Sequence, residues 1–329
     1  MTEYSKREVN RAGKTLLDAT EPTAESYACS VVNYWRKLHE EALQRFFADS
    51  SEVLKANPDS VLAGRIKKFD TVVNKLKRPN NPSDLATMHD IAGCRIVVPD
   101  METLNIVCDQ LISSPNYKKS KDYIASPKSN GYRCHHLFFA YNDLPCGKQL
   151  YLELQVRTRQ QHAWATAVEM YDRIRKTRLK FGESDPNASI FFSRWAELIS
   201  QIESGNTPDV ELIRASFPDV DSLYDHNRIK ALLKAACDST AIVGDVPELS
   251  YNDYCLISFY FDLQTITLEK IEADQAVARY FDKERQSEEA DFVLVRGSSI
   301  EQLKTMYPNY FGDISDFLAL IEQHPSIFA

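Results

Sequence analysis

Apolar side chains recur at helical spacing between about residues 23 and 55, where Tyr27, Val31, Tyr34, Trp35, Leu38, Leu43, Phe46 and Phe47 mark one face. Asn57-Pro58-Asp59 supplies a stop, and a second helix is expected from Ser60 to Lys77. The Pro-rich run 78–82 then breaks the chain ahead of Ser83, a plausible cap. Cys94-Arg95-Ile96-Val97-Val98 is short and β-branched, ends at Pro99, and precedes a helical pattern from Met101 to Ile112, a strand-to-helix unit. Residues 117–133, rich in Lys, Ser, Asn and Gly, read as a loop. Strands are expected at 135–141 and 150–157, followed by helices over 160–181 and 187–203.

After Gly205-Asn206-Thr207-Pro208, a linker by composition, the pattern changes to short helices, strand candidates at 256–261, 265–271 and 290–296, and helices at 273–286, 299–306 and 313–323. The expected organisation is therefore two domains: residues 1–205, and a smaller α+β module over 206–329. Charge divides at the same place. Residues 1–205 hold 29 Lys+Arg against 25 Asp+Glu, while 206–329 hold 10 against 22, together the chain's 39 and 47. A net charge of −8 argues against nonspecific binding to long nucleic acid. Three basic windows, 65–78, 118–133 and 157–180, nevertheless flank apparent strands and could converge on a compact polyphosphate. The longest apolar runs fall far short of a bilayer span and the polar start lacks a secretion signal, so a cytoplasmic protein without membrane contact is expected. Seven cysteines, none in a CxxC pair or at zinc spacing, make a disulfide framework or structural zinc improbable.

Neither GxxxxGK[ST] nor GxGxxG occurs, so phosphate binding would have to rely on side chains. Within the strand 150–157, Glu153, Gln155 and Arg157 share one face. Asp90, just before another strand, could share a divalent cation with Glu153; the alternative is two unrelated surface acids. Arg65 and Arg95 could stack on a base as well as bind phosphate, or could form ordinary salt bridges. Asn130-Gly131 permits a tight turn, expected to present Tyr132 outward beside Lys128 and Arg133 for base stacking. His135 and His136 point to opposite faces of their strand, so at most one of them faces the cleft; a lone His is more often structural than catalytic, and the same holds for His162 in the following helix.

The run Lys121-Asp122-Tyr123-Ile124-Ala125-Ser126-Pro127-Lys128-Ser129-Asn130-Gly131-Tyr132 resembles the guanine-site loop of the RelA/SpoT family of alarmone synthetases. Arg65-Ile66-Lys67, residues 90–95 (DIAGCR) and residues 153–158 (ELQVRT) are similar to that family's other signatures, in the same order, and the likeness covers roughly 25–180. The resemblance implies an α/β fold, a mixed nucleotidyltransferase-like sheet flanked by helices. It implies transfer of pyrophosphate from ATP to the ribose 3′ hydroxyl of GDP or GTP, with Mg²⁺ as cofactor and AMP as by-product. It assigns Arg65 and Arg95 to the adenine, Lys67 and Lys75 to the ATP phosphates, and Asp90 and Glu153 to Mg²⁺. Glu153 would also activate the hydroxyl, Tyr132 would stack on guanine, and Lys121, Lys128, His136, Gln155 and His162 would meet the acceptor nucleotide. Two departures bear on guanine preference: His162 stands where small members often carry Asn, and Cys134 replaces a common Ser. Residues 161–169 resemble a branch that includes toxins, whose acceptors are adenine nucleotides or the tRNA 3′ end. A catalytically silent nucleotide sensor is the alternative of another class. Residues 206–329 are expected to regulate, oligomerise or bind a protein regulator.

Overall fold

The computed structural model describes residues 3–18, 22–78, 84–175, 177, 179, 185–216, 222–250, 253–260, 262–286, 290–297 and 299–328. Helix α1 (Lys6–Asp18) precedes the apolar stripe, which forms α2 (Pro22–Asp49) and α3 (Ser51–Ala56). Next come β1 (Val61–Ile66), α4 (Phe69–Leu76), a short 3-10 turn at Leu85–Thr87, and β2 (Ala92–Val98). Helix α5 (Met101–Ile112) begins where the Asp100 carboxylate accepts the Thr103 amide at 2.8 Å. Strands β3 (Tyr117–Asp122), β4 (His135–Tyr141) and β5 (Leu150–Thr158) lead into α6 (Arg159–Arg175) and α7 (Pro186–Glu203).

The remaining elements are α8 (Val210–Ser216), α9 (Ser222–Ser239), β6 (Ala241–Ile242), β7 (Tyr254–Tyr260), β8 (Thr265–Ile271) and α10 (Ala273–Gln286). They are followed by β9 (Ala290–Arg296), α11 (Ile300–Met306), α12 (Pro308–Phe311) and α13 (Ser315–Gln323).

Two expectations are corrected. The helix expected from Ser60 begins only at Phe69, because Val61–Ile66 pairs antiparallel with β2 over its whole length, and that ladder overrides the helical spacing. The loop expected over 117–133 starts as a strand: the polar segment Tyr117–Asp122 pairs with β4 at the sheet edge. The Pro-rich break at 79–83 and most of the tail beyond Arg175 lie outside the described residues. The other strands and helices given residue bounds by the pattern fall within a few residues of them, whereas α1, the two-residue strand at 241–242 and the short helix at 308–311 have no counterpart in it.

Among the described residues the nine strands join one mixed sheet, ordered β3-β4-β5-β2-β1-β9-β7-β8-β6, with β2–β5 and β6–β8 parallel. The C-terminal strands continue the N-terminal ones through two residue pairs, Gly64 with Arg296 and Arg65 with Val295. On one face, α1, α2 and α5 cover a core that includes Trp35, Phe46, Ile96 and Leu154. Helix α10 packs on the same face farther along, where the buried Arg36 of α2 meets Glu284 at 2.9 Å and sits 4.2 Å from the Phe281 ring centre. Gly64 is needed there: a Cβ would stand 2.5 Å from Leu43 and 2.8 Å from Phe47.

The opposite face is covered differently along its length. Over β7 and β9 it is apolar, with Cys255, Ile257, Val293 and Val295 buried beneath Leu303, Met306 and Tyr310 of α11–α12. A further cluster centred on Trp164, Trp195 and Phe317 welds α6 and α7 to α9 and α13. Over β1, β2, β5 and β4 the same face carries charge. No described helix is long and apolar enough to cross a membrane.

Candidate active site

Strand alternation places the charges. Arg65 on β1 is paired with Gly93 on β2, which is paired with Glu153 on β5, itself opposite Phe138 on β4. One step along, Arg95, Gln155, His136 and Lys121 stand abreast on β2, β5, β4 and β3. A cavity of about 110 Å³ at this level is lined by Arg65, Lys67, Asp90, Arg95, Glu153, Gln155 and Tyr307. The two acids, the two arginines and Lys67 singled out in the sequence are thus brought together.

Around Asp90 the cavity is a knot of opposite charges. Asp90 Oδ2 meets Lys67 Nζ at 2.6 Å and Oδ1 meets Lys75 Nζ at 2.7 Å. Burial alone would raise the Asp90 carboxyl, but Lys67 and Lys75 outweigh it and hold it well below the usual carboxylate range. Burial in turn lowers the Lys67 ammonium despite its contact with Asp90. Arg95 is brought down to about 10 by burial and the neighbouring cation Arg157, and its guanidinium donates to the Met306 carbonyl at 3.0 Å. Tyr307, from the same C-terminal segment, closes the cavity beside both arginines.

From Glu153 outward runs a chain of hydrogen bonds. Glu153 Oε1 accepts from His136 Nδ1 at 2.6 Å, His136 Nε2 meets the Tyr132 hydroxyl at 2.8 Å, and Arg157 donates to that hydroxyl at 2.7 Å. The Arg157 guanidinium also donates to Gln155 Oε1 at 2.7 Å and to Cys134 Sγ at 3.4 Å. Burial pushes the His136 imidazole down, yet Cys134 and Glu153 prevail and hold it up at about 9. Burial would raise the Cys134 thiol, but Arg157 and His136 bring it below its ordinary value.

Two site expectations are corrected. Tyr132 does not point outward: it is 8% exposed, because Gly131, at φ 83° and packed against Ala196, turns the chain inward under α7. Lys128 sits 4.8 Å from the Tyr132 ring centre and 4.7 Å from that of Tyr123. His162 is also buried; its Nε2 lies 2.8 Å from the Thr305 carbonyl, and burial drives its pKa well below the ordinary value. It faces the C-terminal segment, with Arg95, Arg157 and Glu169 as its charged neighbours. Lys121 is exposed on the edge strand β3. His136 faces the cleft and His135 the other side of the sheet, as their spacing requires.

Two participants carry no role in the sequence reading. Arg157 was visible only as the third member of an alternating triplet, whereas Tyr307 has no local signal at all. The donor set suits a divalent cation in part. Asp90 and Glu153 line one cavity and no described protein group hydrogen-bonds Glu153 Oε2, but both Asp90 oxygens now contact ammonium groups, which would have to turn to phosphates for a metal to enter.

Residues 64–173 match the family model described as a region found in RelA / SpoT proteins. The GTP pyrophosphokinase YjbM of Bacillus subtilis is 32% identical over 115 residues, which is 33% of this chain and 54% of that protein. The GTP pyrophosphokinase YwaC of the same organism is 34% identical over 118 residues, 33% of this chain and 56% of that one. The chain thus spans about half the length of the curated relatives it matches. Among solved structures, small alarmone synthetase 1 of B. subtilis bound to its product pppGpp aligns with a TM-score of 0.46 and 23% identity, covering 54% of this chain and 94% of that one.

Proposed function

Residues 64–173 being a RelA/SpoT-family region, we propose that the chain is an ATP-dependent pyrophosphokinase whose acceptor is the ribose 3′ hydroxyl of GDP or GTP. The observation that carries this reading is the shared cavity of Asp90 and Glu153, ringed by Arg65, Lys67 and Arg95. In the reaction the acceptor 3′ oxygen forms a bond to the β-phosphorus of ATP as the bond from that phosphorus to the α,β-bridging oxygen breaks, and AMP leaves. The hydroxyl proton passes to Glu153 Oε2, since Oε1 is already committed to His136. Lys67 and Lys75, released from Asp90, would follow the negative charge of the transferred group. Asp90 and Glu153 would hold Mg²⁺, which supplies charge neutralisation between the two polyphosphates. Gln155, Lys121, Lys128, Tyr132 and His136 would form the acceptor side, and Arg65 and Arg95 the adenine side.

Arg95 bonded to Met306, and Tyr307 set against the small cavity, support a second element of the reading: residues 206–329 cap the donor side. At about 110 Å³ the cavity is well below the roughly 300–1,000 Å³ of ordinary small-molecule sites, which supports a reading in which α11–α12 shift to admit ATP. A different acceptor, the tRNA 3′ end, is favoured by one feature, the exposed Lys118, Lys119 and Lys121 of β3 along the acceptor edge. The experiment offers purified protein Mg²⁺ and labelled ATP with GDP, GTP, ATP and tRNA in competition, alongside Glu153→Gln. Label on GDP or GTP supports the leading reading, and label on tRNA moves the acceptor. Nucleotide binding without product from any acceptor, in a folded protein, refutes the chemistry.

A further inference from the structure

Arg157 is 2% exposed, yet no carboxylate lies within ion-pair distance of it among the described residues. A buried guanidinium with no carboxylate in direct contact, Glu169 acting on it only from a distance, is expensive to keep, and a core position on β5 could be filled more cheaply by an apolar side chain. Its hydrogen-bond partners show what it does. One terminal nitrogen donates to both Tyr132 and Gln155 at 2.7 Å, Nε reaches Cys134, and the cation lies 5.1 Å from the Tyr132 ring centre. The other terminal nitrogen has no hydrogen-bond partner.

An arginine can only donate, so each partner is oriented by it. With Oε1 of Gln155 occupied by Arg157, the amide nitrogen of Gln155 is the end left for the cavity, and it presents N–H donors to the acceptor nucleotide's oxygens. With Tyr132 fixed in front of His136, the imidazole is held where its Nδ1 meets Glu153 Oε1, which leaves Oε2 for the incoming hydroxyl. We propose that Arg157 is a positioning residue of the acceptor side, setting the orientation of Gln155 directly and of Glu153 through Tyr132 and His136. This inference rests on the acceptor-side reading given above. The ATP side lies beyond its hydrogen-bond reach, which separates it from a merely structural core residue.

The test compares Arg157→Met and Arg157→Lys with the full-length wild type. Under the proposal Arg157→Met lowers kcat/KM for the acceptor at least 100-fold and changes the KM for ATP less than threefold, and Arg157→Lys recovers part of the loss. Parallel losses for ATP and acceptor, tracking a lower melting temperature, would overturn it. A second readout needs no turnover: ¹⁵N-histidine labelling reads the His136 Nδ1–H as a slowly exchanging signal in the wild type. That signal disappears in Arg157→Met and survives in Arg157→Lys if Arg157 anchors the chain, and persistence in Arg157→Met refutes it. Should Arg157→Met not fold, Tyr132→Phe decides, since it cuts the same link while keeping the ring: a lasting His136 signal with unchanged acceptor KM overturns the proposal. A wild type that turns over no acceptor defeats the proposed function, while the histidine signal still judges Arg157.

Discussion

The two sides of the cleft are completed in opposite ways. On the acceptor side Glu153, His136, Tyr132, Arg157 and Gln155 satisfy one another within 26 residues of chain, on β4, β5 and the turn that precedes them. On the donor side Arg95 finds its partner 211 positions away, at the Met306 carbonyl, and Tyr307 closes what remains. One half is therefore preorganised by local sequence and the other is held shut by a remote segment. A displacement of α11–α12 would therefore alter the half around Arg95 and leave the half around Glu153 assembled.

The largest effect should come at the junction of the halves. Glu153→Gln keeps the shape but removes the proton acceptor, so product formation should fall about 10³-fold, within the usual range for general-base loss. A labelled-ATP transfer assay reads it, and His136 loses only a charged partner, so the melting temperature should move little. A variant retaining a tenth of the wild-type rate would remove Glu153 from the chemistry and leave the acceptor chain a structural device.

Next is the clamp that holds the C-terminal module against α2. Arg36 is fully buried, donates to the Lys67 carbonyl at 2.9 Å and pairs with Glu284, so it ties α2, the β1–α4 connection and α10. Arg36→Met leaves Glu284 without its partner and should cost about 3 kcal/mol, the lower end for breaking a buried pair. Denaturant unfolding measures it. A change under 1 kcal/mol would mean that the β1–β9 pairing, the Arg95–Met306 contact and the apolar packing hold residues 206–329 in place without this clamp.

How far the sequence discloses this arrangement depends on where the deciding contacts lie. The triplet Glu153, Gln155, Arg157 and the pair His135, His136 are legible because period-two alternation fixes their faces before any tertiary contact is known. Val61–Ile66 is not, since the apolar residues that follow it, Phe69, Val72, Val73 and Leu76, extend a helical rhythm backwards across it, and only pairing with β2 decides the matter. β3 is hidden because its cleft face carries Lys119 and Lys121 where a strand would ordinarily show apolar residues. Tyr132 is misjudged because the turn chemistry of Asn130-Gly131 is right but its direction is set by Ala196, 65 residues beyond Gly131. Tyr307 and Met306 carry no local mark of a role at residue 95.

Gly131 offers a way to disturb the acceptor half alone. At φ 83° an added Cβ is strained, and it would stand 2.7 Å from Ala196 Cβ. Gly131→Ala should therefore cost about 2 kcal/mol through backbone strain and overpacking against α7. The turn also carries Arg133, which donates to the Ala196 carbonyl at 2.8 Å, so displacement should raise the acceptor KM more than that of ATP. Equal changes in both constants would show that the two halves are less independent than their hydrogen bonds indicate.

The smallest effect isolates the donor half. If Arg95 holds ATP as proposed, ATP and the Met306 carbonyl compete for it, so saturating ATP with Mg²⁺ should favour the open arrangement of residues 300–311. Hydrogen–deuterium exchange there should speed up about tenfold, corresponding to a shift near 1.4 kcal/mol in the opening equilibrium. Residues 131–158 should not quicken, because their chain of contacts does not pass through the cap. Slower exchange at 300–311 on adding ATP would reverse the assignment: the segment would then be a lid that closes over bound nucleotide, and its contact with Arg95 would be the closed state of a working site rather than a restraint upon it.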